Sequence, residues 1–238
     1  NFVCALKVIE KKLLHEEEIT DQFIREVKIQ QFLNHPNIIK MYGCFDDSTN
    51  IYIILEVGTG GQLYHQLKKS QPLSEARIAF IMRQVCEAVN EIHSLRIIHR
   101  DIKPENIVLH DVKCLFMQNI IKLCDFGWSV HQDNKLRTTF CGTPLYVCPE
   151  ILKGREYDEK IDIWSIGIMM YEMVVGENPF KITKEEELIK IVKDEIKIPS
   201  YLFVSAEVRD FLDRCLQKNP NERGNIKELI NHPFFKKN

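Results

Sequence analysis

The feature that most constrains the fold is a polar segment, residues 99–106, which reads His-Arg-Asp-Ile-Lys-Pro-Glu-Asn and leads directly into an apolar strand. That strand, at 107–109, is separated by polar residues from a second apolar strand at 120–123. Two β-rich runs joined in this way predict a hairpin, which returns the chain to the end where it started. Asp125 is therefore expected to lie beside Asn106.

The hairpin would gather four polar side chains into one small volume: Asp101, Lys103, Asn106 and Asp125. Carboxylate and amide oxygens suit Mg²⁺, which commonly binds one or two protein groups together with phosphate oxygens and water. The segment therefore predicts a site for a phosphate compound and its magnesium ion.

The composition limits the class of protein. The 238 residues carry 32 basic and 34 acidic side chains, a net charge of −2, so there is no strong positive field for nucleic-acid binding. The most apolar stretch, 163–171, is bounded by Asp162 and Glu172 and is far shorter than the ~20 apolar residues that a bilayer requires. We therefore expect neither a nucleic-acid partner nor a membrane.

Cysteine usage and the first residues indicate the compartment. The eight cysteines include no Cys-x-x-Cys pair, which favours reduced thiols and disfavours a zinc site. The N-terminal residues show no basic leader or cleavage pattern of the secretory kind. These observations predict a location in the cytoplasm or nucleus.

The chain divides into a β-rich part and a helical part. Strands are predicted at 2–9, 38–45 and 51–57, and a helix at 16–33 that ends before Pro36. The glycine-rich residues 58–61 read as a hinge, so the predicted lobes are 1–57 and 58–238.

Helices are predicted throughout the second part. Apolar residues at intervals of three and four from Ile78 to Ile92 indicate a long helix with one buried face, and Ser74 precedes it as N-cap. The last helix opens at Asn225, with Glu228 in the capping-box position. The helices after the long one are predicted at 160–176, 185–193, 205–216 and 225–231.

These motifs resemble those of the eukaryotic-type protein kinases. The segment at 99–106 is followed by Asp125-Phe126-Gly127 and by Pro149-Glu150, in the order that this family shows. Further matching segments extend over the whole chain: Ala5-Leu6-Lys7, His35-Pro36-Asn37, residues 162–167, and Asn219-Pro220 with Arg223. The resemblance implies the α+β class and a two-lobed protein-kinase-like fold, with a small antiparallel β lobe and a larger, mainly helical lobe.

The resemblance implies a role for each residue of the central motif. Asp101 matches the catalytic base that accepts the proton of the substrate hydroxyl, and Lys103 matches the cation that neutralises the transferred phosphoryl group. Asn106 and Asp125 match the two magnesium-binding positions.

Residues that hold ATP are implied in the same way. Lys7 matches the strand lysine that grips the α- and β-phosphates, and Glu26 matches its helix partner. Glu56, Gly58 and Glu105 are further positions at which the resemblance implies cofactor binding. Taken alone, Lys7 and Glu26 would more simply be surface charges; the other motifs favour the catalytic interpretation.

The type of substrate is also implied. Lys103, two residues after the base, and Thr143 mark the serine/threonine pattern. Glu105 and Glu172 occupy positions where related kinases receive an arginine two or three residues before the phosphoacceptor. The alternative is that both are ordinary acids on the lobe surface.

Within the kinases, the sequence is most similar to the Aurora kinases. Trp128, in the segment 125–131, is the distinguishing residue. A second marker is the polar Gln30, in the segment 25–30, at a position where most kinases have an apolar residue. The segment 137–143 is a third marker. This likeness implies roles in cell division at the spindle, centrosome or chromosomes. It also implies an activating protein on the small lobe and protein substrates with basic residues upstream of the acceptor.

Thr139 is the predicted regulatory residue. Phosphorylation would add about −1.5 to −2 charge and three acceptor oxygens, which Arg100 and Arg137 could bind. Because Arg137 lies two residues before Thr139, the segment resembles the expected substrate, and self-activation between two molecules follows as a hypothesis.

Several features depart from the family pattern or have no catalytic part. Cys148 stands where alanine is usual, and 110–119 is longer than the usual hairpin loop. Glu150 and Arg223 are expected to form a structural ion pair.

The main departure is the absence of a Gly-x-Gly-x-x-Gly segment before Lys7. We therefore expect a kinase domain truncated within the third strand of its small lobe, which accounts for part of the low count of 10 glycines. The alternatives are a pseudokinase that serves as a scaffold, or an inactive fragment. The complete set of predicted catalytic residues argues against the scaffold.

Overall fold

The computed structural model describes residues 2–16, 19–69, 73–110, 120–131 and 142–237. Its N-terminal part is a three-stranded antiparallel sheet with the strand order β1-β3-β2. The strands are β1 (Ala5–Glu10), β2 (Met41–Asp46) and β3 (Asn50–Leu55). The short turn between β2 and β3 forms because the Asp47 carboxylate accepts hydrogen bonds from the backbone N–H groups of Thr49 and Asn50, both at 2.7 Å.

Two helices lie between β1 and β2. These are α1 (Lys11–Glu16) and α2 (Thr20–Phe32). Phe23 of α2 packs with Leu14, Met41 and Ile53 in a small apolar core against the sheet. This contact fixes α2 against the sheet whose strand β1 carries Lys7.

The chain crosses to the helical part through the glycine-rich segment. The short strand β4 (Gly61–Gln62) leads into α3 (Leu63–Lys69). At Gly58 an added Cβ would lie 2.7 Å from Cβ of Val108, a distance that real side chains do not tolerate. Glycine is therefore required here for the close approach of two backbone segments.

The large core is built around two long helices, α4 (Glu75–Ser94) and α6 (Lys160–Val175). Ser74 caps α4 as predicted, its side chain accepting a hydrogen bond from the N–H of Arg77 at 3.3 Å. α6 is buried on nearly all sides, Trp164 completely so, and it ends where Gly176 takes a left-handed φ of 92°.

The remaining elements surround these helices. Two further antiparallel sheets are present: β4 pairs with β6 (Ile107–His110), which pairs with β7 (Ile120–Leu123), and β5 (Ile97–Ile98) pairs with β8 (Val130–His131). Short helices follow: α5 (Pro149–Leu152), α7 (Ile189–Lys193), α8 (Ala206–Cys215), α9 (Ile226–Ile230) and α10 (Phe234–Lys237). No helix among the residues that the structure describes is long and apolar enough to cross a membrane.

The structure confirms the predicted fold class and corrects several boundaries. The predicted helix at 16–33 begins at Thr20, after a separate α1 that was not predicted. The strand predicted at 51–57 ends at Leu55, and residues 185–188 form a 3₁₀ turn before α7. Boundaries shift because local sequence patterns do not specify where tertiary packing ends an element. The division between lobes at 57 and 58 stays a prediction.

The predicted ion pair between Glu150 and Arg223 is present in the large core. Two parallel contacts join them, Nη1 to Oε1 at 2.5 Å and Nη2 to Oε2 at 2.7 Å. The guanidinium also lies over the ring of Trp164, 5.1 Å from its centroid. A buried bidentate pair of this kind holds α5 to the segment before α9.

Substitution of Arg223 by Met is expected to lower the free energy of unfolding by about 3–5 kcal/mol, because it leaves the buried Glu150 carboxylate without its partner. Urea denaturation monitored by circular dichroism measures this loss. The matched control is Arg214→Met, which removes an exposed ion pair with Asp210 and should cost less than about 1 kcal/mol. Equal losses in the two variants would contradict this prediction.

Candidate active site

The polar segment at 99–106 is held in place by one buried carboxylate. Asp162, in the first turn of α6, accepts hydrogen bonds from the backbone N–H groups of His99 and Arg100, both at 2.9 Å. A third bond comes from Nε2 of His93 at 2.8 Å. Burial raises the pKa of Asp162, but the hydrogen bonds and the adjacent histidines outweigh it and leave the pKa below its usual value. The ionised side chain therefore fixes the loop.

Asp101 is the centre of a compact hydrogen-bonded cluster. Its Oδ1 accepts from the hydroxyl of Thr143 at 2.8 Å, and its Oδ2 lies 2.7 Å from Nζ of Lys103. The amide of Asn106 donates to Oδ2 at 2.9 Å and to the backbone oxygen of Asp101 at 2.8 Å. Lys103 also donates to Thr143 Oγ1 at 2.6 Å. The structure thus brings together four residues that the sequence had singled out.

The Asp101 carboxylate is ionised in this setting. Burial raises its pKa, but the hydrogen bonds from Lys103, Thr143 and Asn106, together with the Lys103 charge, bring the pKa below its usual value. Burial lowers the pKa of the neighbouring His99, whose Nδ1 accepts a hydrogen bond from the backbone N–H of Asp101 at 3.3 Å. The neutral imidazole of His99 thus accepts a hydrogen bond from the backbone of Asp101, whose side chain is charged.

The predicted hairpin brings Asp125 back to this cluster. Ile107 of β6 pairs with Leu123 of β7, and the backbone N–H of Cys124 donates to the oxygen of Asn106 at 2.9 Å. Asp125 is the next residue; it has a left-handed φ of 62°, and its carboxylate is exposed. Asp125 therefore directly follows a residue that is hydrogen-bonded to Asn106, as the predicted hairpin requires.

Lys7 and Glu26 form the ion pair that the resemblance implied. Nζ of Lys7 on β1 lies 2.6 Å from Oε1 of Glu26, which is buried on the inner face of α2. A Cβ added at Gly127 would lie 3.4 Å from Oε2 of Glu26 and 3.2 Å from Oδ1 of Asp125. The pair therefore borders the turn that carries Asp125.

Two predicted cofactor residues have structural contacts of their own. The carboxylate of Glu56 lies 2.8 Å from Nζ of Lys122 and accepts from the backbone N–H of Lys40 at 3.2 Å. Gly58 is packed against Val108. The Glu56 side chain is thus engaged within the protein, so any contact of Glu56 with a nucleotide would come from its backbone.

Glu105 and Glu172 lie close enough to influence each other. Burial raises the pKa of Glu172, the hydrogen bond from the Tyr146 hydroxyl opposes this, and the charge of Glu105 raises it again. Oε2 of Glu105 is buried and has no hydrogen-bond partner among the described residues. Two neighbouring carboxylates of this kind favour a cation between them.

The predicted regulatory residues are described only in part. Thr139 lies outside the described residues. Arg100 has a left-handed φ of 70°, and it donates from Nε to the backbone oxygen of Trp128 at 2.5 Å and from Nη1 to the hydroxyl of Tyr157 at 2.9 Å. Thr143 lies against Asp101, as the resemblance implies for a threonine near the predicted base.

Sequence reasoning missed the part played by Asp162 and His93. Asp162 belongs to a matching segment, but no role was inferred for it, and His93 drew no attention. The available signal was an acid placed directly before the apolar stretch 163–171. A fully buried charge must be paired, so such an acid indicates a partner elsewhere in the fold.

Comparison with known proteins agrees with this geometry. The protein kinase domain matches residues 1–235. The chain is 42% identical over its full length to Aurora kinase A-B of Xenopus laevis, and 41% identical over 99% of its length to the Aurora kinase of Schizosaccharomyces pombe. It is 38% identical over 99% of its length to the Aurora kinase of Dictyostelium discoideum. The resemblance to protein kinases, and to Aurora kinases among them, is confirmed.

The chain spans only part of these relatives: 56% of the Xenopus protein, 65% of the yeast protein and 60% of the Dictyostelium protein. Protein kinases as a family use ATP and a divalent metal ion, so the match implies these cofactors. The chain belongs to the protein kinase family, and its likeness to the Aurora kinases extends over its whole length.

Proposed function

We propose that this chain carries out ATP-dependent phosphoryl transfer to serine or threonine hydroxyls of proteins, as an Aurora-like kinase. The observation that carries the proposal is the cluster in which Lys103, Thr143 and Asn106 all bind the ionised Asp101. Catalysis of phosphoryl transfer depends mainly on positioned charge, and this cluster supplies a base and a cation within 2.7 Å of each other.

Each residue of the cluster has a separate task in the proposed reaction. Asp101 accepts the proton of the substrate hydroxyl, and the hydrogen bond from the Thr143 alcohol supports its ability to bind such a group. Lys103 lies next to the base, where it can neutralise charge on the transferred phosphoryl group. Asn106 holds the Asp101 carboxylate in one orientation through its amide.

The donor set near the cluster fits a magnesium ion. Both hydrogen bonds donated by the side-chain amide of Asn106 go to Asp101, so the side-chain oxygen of Asn106 is turned away from Asp101. The Asp125 carboxylate is exposed. These are hard oxygen donors of the kind that Mg²⁺ prefers. When bound, the ion would neutralise the phosphate oxygens of ATP. Lys7, held by Glu26, would bind the same phosphates.

Substitution of Asp101 by Asn is expected to lower kcat about 10²- to 10⁴-fold with little change in the KM for ATP, because the proton acceptor is lost and the shape is kept. Transfer of radiolabelled phosphate to a basic peptide measures this. The matched control, Asp213→Asn on the surface of α8, should retain full activity. If the unsubstituted chain transfers no phosphate, the proposal is contradicted and the scaffold or inactive-fragment alternative is supported.

The preference for an upstream arginine rests on Glu105 and Glu172. Their carboxylates interact unfavourably, and Oε2 of Glu105 is buried without a partner in the described part of the chain. An arginine guanidinium would relieve both conditions because it binds carboxylates through paired hydrogen bonds. We propose that this pair selects substrates with arginine two or three residues before the acceptor.

Replacement of that substrate arginine by alanine is expected to lower kcat/KM about 10- to 100-fold, the effect of losing a charge-assisted hydrogen bond. In the Glu105→Gln and Glu172→Gln variants the two peptides should become nearly equal. Glu177→Gln, an exposed glutamate beyond α6, is the matched control and should keep the preference. A preference that persists in all three variants would show that other residues bind the arginine.

Activation is proposed to depend on phosphorylation of Thr139. Support comes from Arg100, whose guanidinium is fixed by Trp128 and Tyr157 next to the catalytic loop. A guanidinium held in this way is suited to bind a phosphate through several hydrogen bonds.

The Asp101→Asn chain expressed alone is expected to carry no phosphate on Thr139, and to acquire it when incubated with unsubstituted chain and ATP. Mass spectrometry of the activation segment measures both states. Thr139→Val should lose activation, and the neighbouring Thr138→Val should keep it. Phosphate on Thr139 in the inactive chain expressed alone would refute self-activation.

The cellular setting is proposed from similarity alone. By analogy with the Aurora kinases it resembles, the chain would act in cell division at the spindle, centrosome or chromosomes, within the cytoplasm or nucleus. An activating protein on the small lobe is proposed on the same basis.

A further inference from the structure

A second side chain of α2, besides Glu26, reaches the turn that carries Asp125. The side-chain amide of Gln22 donates a hydrogen bond to the backbone oxygen of Gly127 at 2.6 Å. The two residues are 105 positions apart in the chain, so the bond is purely tertiary. It is the kind of contact that no local sequence pattern specifies.

Gln22 and Glu26 lie on the same face of the helix, because residues four positions apart are neighbours on a helix surface. Glu26 is joined to Lys7 of β1 and its Oε2 borders Gly127. α2 is therefore tied on one side to the strand with the predicted phosphate-binding lysine. On the other side it is tied to the Asp125-Phe126-Gly127 turn.

This turn holds strain that requires support from outside. Asp125 has a φ of 62°, a left-handed conformation that is uncommon for residues other than glycine and persists only where surrounding contacts hold it. Within the turn, the N–H of Gly127 is directed toward Oδ1 of Asp125 at 3.4 Å. Gly127 thus connects Gln22 through its oxygen and Asp125 through its nitrogen.

We propose that Gln22 is a positioning residue, which fixes the Gly127 carbonyl group and thereby orients the Asp125 carboxylate toward the site where a magnesium ion would bind. This inference rests on the proposed function and extends it. The orientation of α2 and the geometry of the metal site are coupled by one hydrogen bond.

The test compares three variants with the unsubstituted chain. Gln22→Met removes the donor, Gln22→Glu places a carboxylate against the Gly127 oxygen, and Gln31→Glu makes the same chemical change at an exposed position of α2. Circular dichroism and thermal unfolding check that all three fold alike. The disturbance of the Gly127 turn should be larger in Gln22→Glu than in Gln22→Met. Both variants lose the hydrogen bond, and in Gln22→Glu the new carboxylate also repels the Gly127 oxygen.

The first measurement is collisional quenching of tryptophan fluorescence by acrylamide. The chain has two tryptophans; Trp164 is fully buried, and Trp128, next to Gly127, is 42% exposed. Quenching therefore reports on Trp128 and needs neither metal nor nucleotide. We expect the quenching constant to rise about twofold in Gln22→Glu and to stay unchanged in Gln31→Glu, since release of the Gly127 peptide frees its neighbour.

The second measurement is the Mg²⁺ concentration that half-saturates ATP binding, obtained by calorimetry. We expect an increase of about threefold to tenfold in Gln22→Met, the effect of losing one hydrogen bond, and a larger increase in Gln22→Glu. ATP affinity at saturating Mg²⁺ should change far less. A general loss of structure would instead lower ATP affinity at every Mg²⁺ concentration.

The outcomes separate this proposal from the proposed function. Equal quenching in Gln22→Glu and Gln31→Glu, or altered quenching with an unchanged Mg²⁺ dependence, would overturn the positioning role while leaving kinase activity intact. Absence of any Mg²⁺-dependent ATP binding in the unsubstituted chain would overturn the proposed function and the role of Gln22 with it.

Discussion

The buried carboxylate of Asp162 is the interaction on which the candidate site depends. It lies in the first turn of the most deeply buried helix, and its three hydrogen bonds hold two backbone groups of the loop at 99–106 and the ring of His93. Because burial makes an unpaired charge very costly, the loop cannot leave without exposing or neutralising this acid. The loop is therefore attached to the core of the large lobe. This attachment restricts the movement of the loop and of its polar side chains.

From this anchor the site extends by short, charge-assisted contacts. Asp101 is surrounded by hydrogen-bond donors that keep its carboxylate ionised. The hairpin of β6 and β7 brings the chain, and with it Asp125, back toward the end of this loop. α2 closes the other side through Lys7–Glu26 and Gln22–Gly127. The Thr143–Asp101, Lys7–Glu26 and Gln22–Gly127 contacts join elements that are distant in sequence, so this geometry exists only when both parts of the fold are packed. A preorganised arrangement of this kind is what phosphoryl transfer requires.

The features that could be predicted from the sequence are those with local causes. The hairpin was predicted from two apolar strands, the start of α4 from Ser74, and the start of α9 from Asn225 and Glu228, whose capping box is present. The pair Glu150–Arg223 followed from the family resemblance. Element ends were less accurate, as at Thr20 and Leu55, because packing rather than propensity decides where a helix or strand stops.

The sequence by itself determined the kind of protein, since a motif with Asp101, Lys103 and Asn106 at fixed spacing is specific and its residues are near neighbours in the chain. Only the tertiary structure decided which side chains support that motif. The bonds of Asp162 to the loop at 99–106, the ion pair of Glu56 with Lys122, and the bond from Gln22 to Gly127 all join distant segments. The same physical reason explains all three contacts. A polar group inside a fold must find a partner, and the partner is whatever the packing of distant elements brings within hydrogen-bond distance.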